Sequence, residues 1–556
     1  MTNGYVRLLN SCKTEDLVIM CEKTSILPLN HFRERPGRAT TDSIHLVVKL
    51  VKDTWRKGEV ASLLCLDMKA VFPSAVVDIL LQEMMSCRIP RGHVEWFRRW
   101  LEGRKMVLLF KDYRSEMFDI NEGIDQGDAH SLIAWIVYNH QILKIFRKSC
   151  KETGFLFVND TAILVTGVDF EDTHSKLRKV MTREGGVLDW AASHNCEFGM
   201  EKFQLLDLTR QKIKDLNRPR KRIALLRCNL YLVVVVPRIL YGVDMFLGPA
   251  LRCKSFRERK GGQVALGKLA AIQRSAALMI VGGLHTSPND LLDMHANMLP
   301  FHLLVNKVQY QAALRLATLP NMHPLHKPVA QAARCFIKKH HSPLHELMFK
   351  FKLKPKLLEK IAAMRQAASW EPDIAIRIAG NKETAKNEDL ADMPCIRVYT
   401  DGSSIEGQIG AAAVLYQDGV LKRKKRLRLE LMKHHTVYEG EGIGLLLGLE
   451  LIREEEEVDG LIMIGIDNTA AIKATHTIKP CSSHYIWDLF HQRVSVLSSR
   501  HKGADILIRW TPGHMGITGN ERADKEAKKA AREGLSPSHR LLAPLIKTLP
   551  RSKSAA

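Results

Sequence analysis

Short apolar runs closed by polar turns alternate with helical periodicity over residues 28–212, which predicts an α/β region. Residues 1–27 read as a lead-in of helix and loop without chemistry of their own. From 213 to 390 the chain turns basic, histidine-rich and helical. The stretches GKLAAIQRSAALMIVGGL and LPFHLLVNKVQYQAALRLATL carry apolar residues at helical spacing. The greasiest stretch, Tyr231–Leu247, is interrupted by Pro237, Arg238 and Asp244, so it predicts a buried strand or helix and not a membrane span. The charged loop Gly380–Pro394 reads as a linker. Residues 395–534 start afresh as strand, turn and strand, followed by helix, strand and helix. The tail, residues 535–556, is rich in Ser, Pro, Lys and Arg and is expected to be flexible. No internal repeat is evident.

Length and charge sharpen this division. A chain of 556 residues exceeds one core and implies roughly three or four domains. Lysine plus arginine is 83 against 60 for aspartate plus glutamate, giving 83 − 60 = +23. That excess favours a polyanionic partner, nucleic acid before a membrane surface. The 11 cysteines form no CxxC pair and no Cys/His cluster at zinc spacing, which suits a reducing compartment. The opening residues lack the basic-then-apolar layout of a signal peptide. An intracellular protein with no membrane partner is expected; the sequence leaves the oligomeric state open.

Candidate chemistry gathers in the last third. Asp401 closes the apolar run Ile396–Thr400 and opens a Gly-Ser turn in IRVYTDGSS, and Asp467 closes LIMIGIDN. Carboxylates at strand exits beside Gly and Asn are delivered into clefts. In TVYEGEGIGLLLGLEL two glutamates compete. Glu439 completes a capping box with Thr436, a structural task. Glu441 shares a stripe with Gly444, Leu445, Gly448 and Ile452, whose small residues let the helix approach the sheet. His514 and Asp524 lie in WTPGHMGITGNERADKEAKKAA, where Asn520 is expected to cap the last helix. Carboxylates from separate elements suit a pair of hard divalent cations that activate water and stabilise a leaving oxygen. The basic run Lys422–Arg428 reads equally as a nuclear import signal or phosphate-contacting strand and as a solvated edge strand.

These motifs, YTDGS, YEGEGIGLLLGL, IGIDNTAAI and WTPGHMGITGNERAD, resemble in kind and order those of type 1 ribonuclease H. The resemblance implies an α/β domain with a mixed five-stranded sheet that cleaves the RNA strand of RNA–DNA hybrids. It assigns Asp401, Glu441, Asp467 and Asp524 as ligands of Mg2+, with Mn2+ a substitute, and His514 as an auxiliary proton carrier. Gly442 departs from the pattern, where a larger apolar residue is common.

The first α/β region resembles the fingers and palm of a non-LTR retrotransposon reverse transcriptase. The resemblance is carried by HFRERPGRATTD (31–42), LLCLDMKAVFPS, INEGIDQGDAHS, GFLFVNDTAIL and EFGMEKFQLL. It implies Asp67 and Asp160 as metal ligands, Phe72 as the floor that excludes a ribose 2′-hydroxyl, and Lys202 near the triphosphate. Asn159 stands where a second aspartate is expected, and Ala129 and His130 replace a proline and an apolar residue. An amide lacks the charge of a carboxylate, so polymerase activity is expected to be impaired. The chain is expected to begin partway into the fingers, with no endonuclease domain before it. Residues 213–390 take the place of a helical thumb and connection that grips RNA or DNA strands or merely joins the flanking domains. Magnesium-dependent hybrid cleavage is the expected activity, with DNA synthesis or inert nucleic-acid binding as alternatives, and nuclear residence follows the same resemblance.

Overall fold

A computed structural model describes residues 4–23, 26–32, 35–69, 71–110, 113–125, 128–157, 160–208, 239–247, 260–281, 283–337, 339–363, 374–392, 394–456, 458–477, 480–533, 543–546 and 548–555. The chain forms two compact units, 1–353 and 354–556.

In the first unit, β1 (Val60–Lys69) runs antiparallel to the second strand of a hairpin, β2 (Glu152–Phe157) and β3 (Asp160–Gly167). The other edge of β1 takes β4 (Glu197–Phe198) and β5 (Gln204–Leu208). Helices α1 (Gly4–Lys23), α2 (Thr40–Arg56), α3 (Ala129–Asn139) and α4 (Phe170–Thr182) flank these strands. Leu17, Leu66, Trp135, Leu156, Ile163 and Leu177 share one core, because strand and helix each expose an apolar face that must be covered.

The helical region expected as a separate body is in part merged into this unit. Its α5 (Lys260–Val281) packs Leu266, Leu269 and Ala270 against Phe301 and Val305 of α6 (Phe301–Ala317). Buried Asp42 of α2 takes an ion pair from Arg315 of α6, with His323 at 3.3 Å, and His45 meets Asp244 at 2.8 Å. Desolvated carboxylates that leave their partners unpaired when separated fasten such regions together. Asp244 sits in a four-residue helix, Val243–Phe246, with Val243 and Met245 buried, as the apolar pattern anticipates; residues 231–238 lie outside the described residues. Val264–Val281 is long and apolar enough, by composition, to cross a membrane, with mean hydropathy 1.5.

The second unit is built on a sheet of six strands where five were expected. The extra strand, β6 (Ile374–Arg377), comes from the stretch assigned to the connection. The supposed linker holds α7 (Lys382–Ala391), whose N-cap Asn381 accepts from Thr384 N at 2.8 Å. Next come the meander β7 (Ile396–Ile405), β8 (Gln408–Gln417) and β9 (Val420–Leu431), and the capped helix α8 (Val437–Arg453). Strand β10 (Gly460–Ile466), α9 (Thr469–Ala474), α10 (His484–Arg500), β11 (Ala504–Trp510) and α11 (Thr518–Glu533) complete the series. The order across the sheet is β6-β11-β10-β7-β8-β9, with β6, β11, β10 and β7 parallel and β7, β8 and β9 antiparallel.

Two more expectations are corrected here. Asn520 does not cap α11, which starts at Thr518; Glu521 N already bonds Ile517 O at 3.0 Å. The tail is not free over residues 543–546 and 548–555: Leu545 joins the core, and Arg551 bridges to Leu358. The buried carboxylate of Glu359 accepts from Ser483 N, Ser482 Oγ and Lys553 N at 2.6–2.7 Å. Composition suggested mobility; backbone donors seeking a buried acceptor override it.

Candidate functional site

Where β10 stops, a cleft opens in the sheet of the second unit. The parallel register of β7 and β10 ends at the pair Thr400–Ile466. Strand β7 runs on through Ile405, paired there only with β8. Asp401 therefore lies inside a strand, not at its end, and the loss of the neighbouring strand is what opens its side. Asp467 is the next residue beyond β10, level with Asp401 across the gap. Strand termini in α/β sheets make such crevices.

Helix α8 brings Glu441 into the same gap. Gly444 lies against Asp401 O, 3.2 Å from where a Cβ would be, and Gly448 against Thr400 and Val398 at 3.1 Å. The glycine stripe thus seats α8 on β7, as the sequence predicts. Thr436 and Glu439 form the expected capping box, with Thr436 N donating to Glu439 Oε2 at 2.8 Å, so Glu439 is committed elsewhere. At Gly442 a Cβ would come within 2.9 Å of Ile486 on α10, which explains the small residue as a helix–helix contact.

The three carboxyl groups of Asp401, Glu441 and Asp467 place ligand atoms within 4.8 Å of one another. Glu441 is 4 % exposed and Asp401 is 6 % exposed. Gly402 N donates to Glu441 Oε2 at 3.1 Å, and Asn468 also hydrogen-bonds the Glu441 side chain. Asn468 Oδ1 meanwhile caps α9, accepting from Ala470 N and Ala471 N. Trp510 Nε1 donates to Asp467 O at 3.0 Å and fixes the adjacent backbone.

Charge is crowded here. Burial raises the Asp401 carboxyl to about 7, helped by Asp467 and Asp524 and opposed by Lys528. Burial lifts Glu441 well above the usual range, with Asp401 and Asp467 adding to it. Asp467 is raised by burial and by Asp524, against the pull of His514. Desolvation and like-charge repulsion act in the same direction at all three. Asp401 Oδ2 is buried with no hydrogen-bond partner. An all-oxygen carboxylate set with an orphaned buried oxygen fits a hard divalent cation, the partner that offsets the repulsion.

Asp524 and His514 complete the neighbourhood. Asp524, on α11, acts electrostatically on both Asp401 and Asp467, and Lys528 Nζ donates to it at 2.7 Å. His514 is exposed, with φ 59°, in a loop whose Gly516 has φ 74°. Asp401, Glu441 and Asp467 thus converge, with Asp524 and His514 near enough to act on the cluster electrostatically. Gly402, Asn468 and Lys528 were missed. A faint signal existed for each: Gly after the aspartate, Asn at a helix start, and Lys one turn beyond Asp524.

The basic run on β9 is largely tied down. Lys425, 2 % exposed, pairs with Glu454 at 2.6 Å, and Arg423 lies 3.4 Å from Glu455. Lys424 and Arg426 share buried Glu526 of α11 at 2.9 and 3.7 Å. Strand pairing and these ion pairs engage much of the run, as in an edge strand whose charges are held by neighbouring acids.

In the first unit, Asp67 and Asp160 face each other across β1 and β3. Lys202 Nζ donates to Asp67 Oδ2 at 2.6 Å. Phe72 is half-buried and meets Trp135 edge-on at 6.3 Å. Arg35 and Asp42 of the 31–42 motif turn inward, Arg35 to Glu22 at 2.6 Å. His130 is fully buried beside Phe97, at 5.1 Å between ring centroids. Asn159, Gln126 and Gly127 lie outside the described residues.

Residues 2–217 match the family model of reverse transcriptase (RNA-dependent DNA polymerase), and residues 394–532 match that of RNase H. A probable RNA-directed DNA polymerase from transposon X-element of Drosophila melanogaster is 24% identical over 151 residues. That match covers 26% of this chain and 16% of the relative. Among solved structures, RNase H1 from Halobacterium salinarum NRC-1 is 19% identical, covering 24% of this chain and 96% of that one at a TM-score of 0.20. LC11-RNase H1 in complex with RNA/DNA hybrid is 16% identical, with 24% and 96% coverage and the same TM-score of 0.20. Apo telomerase from Candida tropicalis, truncated from its C-terminal domain, is 12% identical, covering 38% of this chain and 42% of that one at a TM-score of 0.28. The chain thus joins a region that matches the reverse transcriptase family model to one that matches that of RNase H.

Proposed function

We propose that the second unit hydrolyses the RNA strand of RNA–DNA hybrids at the carboxylate cluster, in the manner of a type 1 ribonuclease H. The convergence of Asp401, Glu441 and Asp467 within 4.8 Å, inside the RNase H match, carries this reading. Asp401, Glu441, Asp467 and Asp524 would hold Mg2+, or Mn2+ in its place. Bound there, a pair of such cations supplies Lewis acidity and lowers the pKa of water. The residues themselves do the positioning. Gly402 N–H and Asn468 hold the Glu441 carboxylate, Trp510 fixes the backbone of Asp467, and α11 presents Asp524. His514, exposed on a glycine-flanked loop, would carry a proton to the leaving oxygen. The net charge of +23 favours the hybrid backbone, and nuclear residence accords with such a substrate.

Cleavage of a labelled hybrid by the full chain in Mg2+ tests the proposal. Asp401→Asn is expected to lower the single-turnover rate by about 100-fold or more, as loss of a preorganised charge does. Asp67→Asn is expected to leave it unchanged. Equal cleavage by wild type and Asp401→Asn would sink the assignment.

A second reading, RNA-directed DNA synthesis in the first unit, is favoured by the facing pair Asp67 and Asp160 with Lys202 at Asp67. Primer extension by wild type and by Asn159→Asp decides it. Extension gained only in the variant marks Asn159 as the lesion.

A further inference from the structure

We infer that Lys528 is a positioning residue of the carboxylate site. Its ammonium neutralises Asp524 until a divalent cation arrives, and competition between the two sets the cation concentration at which the site fills. The inference rests on the hybrid-cleavage reading above.

Lys528 Nζ lies 2.7 Å from Asp524 Oδ2, one turn further along α11. On an ordinary helix such a pair is a weak surface contact. Here its acid belongs to a crowd. Asp524 acts on Asp401 and Asp467, whose ligand atoms converge with those of Glu441 within 4.8 Å. Lys528 also acts on Asp401, so its charge reaches the cluster as well as its own partner.

Other basic residues of α11 are directed elsewhere. Arg522 pairs with Glu526 at 3.1 Å and Lys529 with Glu533 at 3.5 Å. Glu526, two residues beyond Asp524, points from another side of the helix and serves Lys424 and Arg426 of β9. Among the described residues of α11, Lys528 is therefore the cation paired with the cluster.

Two positive charges cannot share one carboxylate at no cost. A cation that uses Asp524 must displace the ammonium or bind beside it against repulsion. The Lys528 side chain is 42 % exposed, so water screens the effect. At a water-like dielectric a unit charge about 4 Å away changes affinity by about fivefold. Lys528 thus trades cation affinity for a site whose acids are partly neutralised when no cation is present.

The test measures Mn2+ binding by electron paramagnetic resonance of the free ion. The full chain carries Asp67→Asn, so that the facing pair in the first unit adds little signal. Lys528→Gln is expected to lower the half-saturating concentration about three- to tenfold. Lys528→Arg, which keeps the charge, and Lys529→Gln, which alters a neighbouring pair, are expected to stay within about twofold of the parent. A midpoint unchanged or raised in Lys528→Gln overturns the inference while leaving the nuclease reading intact. A parent chain whose Mn2+ binding is untouched by Asp401→Asn overturns both.

Discussion

Gly402 shows how one missing side chain builds the site. A Cβ there would collide with the backbone of Gly440 and Glu441, so only glycine lets α8 lie against β7 at that level. The same closeness lets Gly402 N–H reach the Glu441 carboxylate at 3.1 Å. Gly402→Ala is expected to destabilise the protein by about 1–3 kcal/mol and to slow hybrid cleavage about tenfold or more. Urea denaturation and single-turnover cleavage check the two halves. Wild-type cleavage by a folded Gly402→Ala chain would mean that Glu441 tolerates displacement. Sequence reasoning reached Asp401 and Glu441 through their neighbours, the Gly-Ser turn and the small-residue stripe. It passed over Gly402 and Asn468 because a hydrogen bond between distant segments leaves no periodic trace.

Among the elements, α11 depends most on its seat. Gly410 of β8 faces the helix, and a Cβ there would press on Ala527 O and Ala531 N. From the side, Glu526 gathers Lys424, Arg426 and Arg522. Together these contacts fix the height at which Asp524 meets the cluster. Gly410→Val is expected to lift α11, cost about 2–3 kcal/mol and weaken Mn2+ binding. Thermal unfolding and metal titration would register both, and an unchanged metal midpoint would show that Asp524 contributes little. Local rules found this helix but misplaced its start, since Asn520 looks like a cap only when Thr518 and Gly519 are taken as loop. Equally, α7 hid in a charged stretch with a proline. Its helix is held by Asn381 and by Asp389, to which Tyr399 OH donates at 3.1 Å.

For the molecule as a whole, the crowded acids make stability depend on pH in an unusual direction. Asp401 titrates near 7 in the folded chain against an ordinary value of 3.8. The folded state therefore holds a proton between about 4 and 7 that the unfolded chain has released. The stabilising contribution of that proton is full below the lower value and is lost as pH rises through the higher one. Glu441 and Asp467 are shifted the same way. With chelator present, the denaturant midpoint of the second unit's transition is expected to fall as pH climbs from about 4 to 7. Added Mg2+ is expected to flatten or reverse that slope, because a bound cation replaces the proton. A midpoint that rises with pH in chelator would contradict the repulsive cluster.

The sequence by itself singled out the candidate residues: Asp401, Glu441, Asp467, His514 and Asp524 stand in motifs whose turns, caps and periodicity are local. It also determined that Glu439 is a cap, since that follows from neighbours along the chain. Only the tertiary structure decided that β6 adds a sixth strand, that Glu359 draws the C-terminal segment into the second unit, and that Lys528 faces the acids. Those outcomes depend on buried groups from distant segments finding one another, and that search is settled by desolvation and packing in three dimensions.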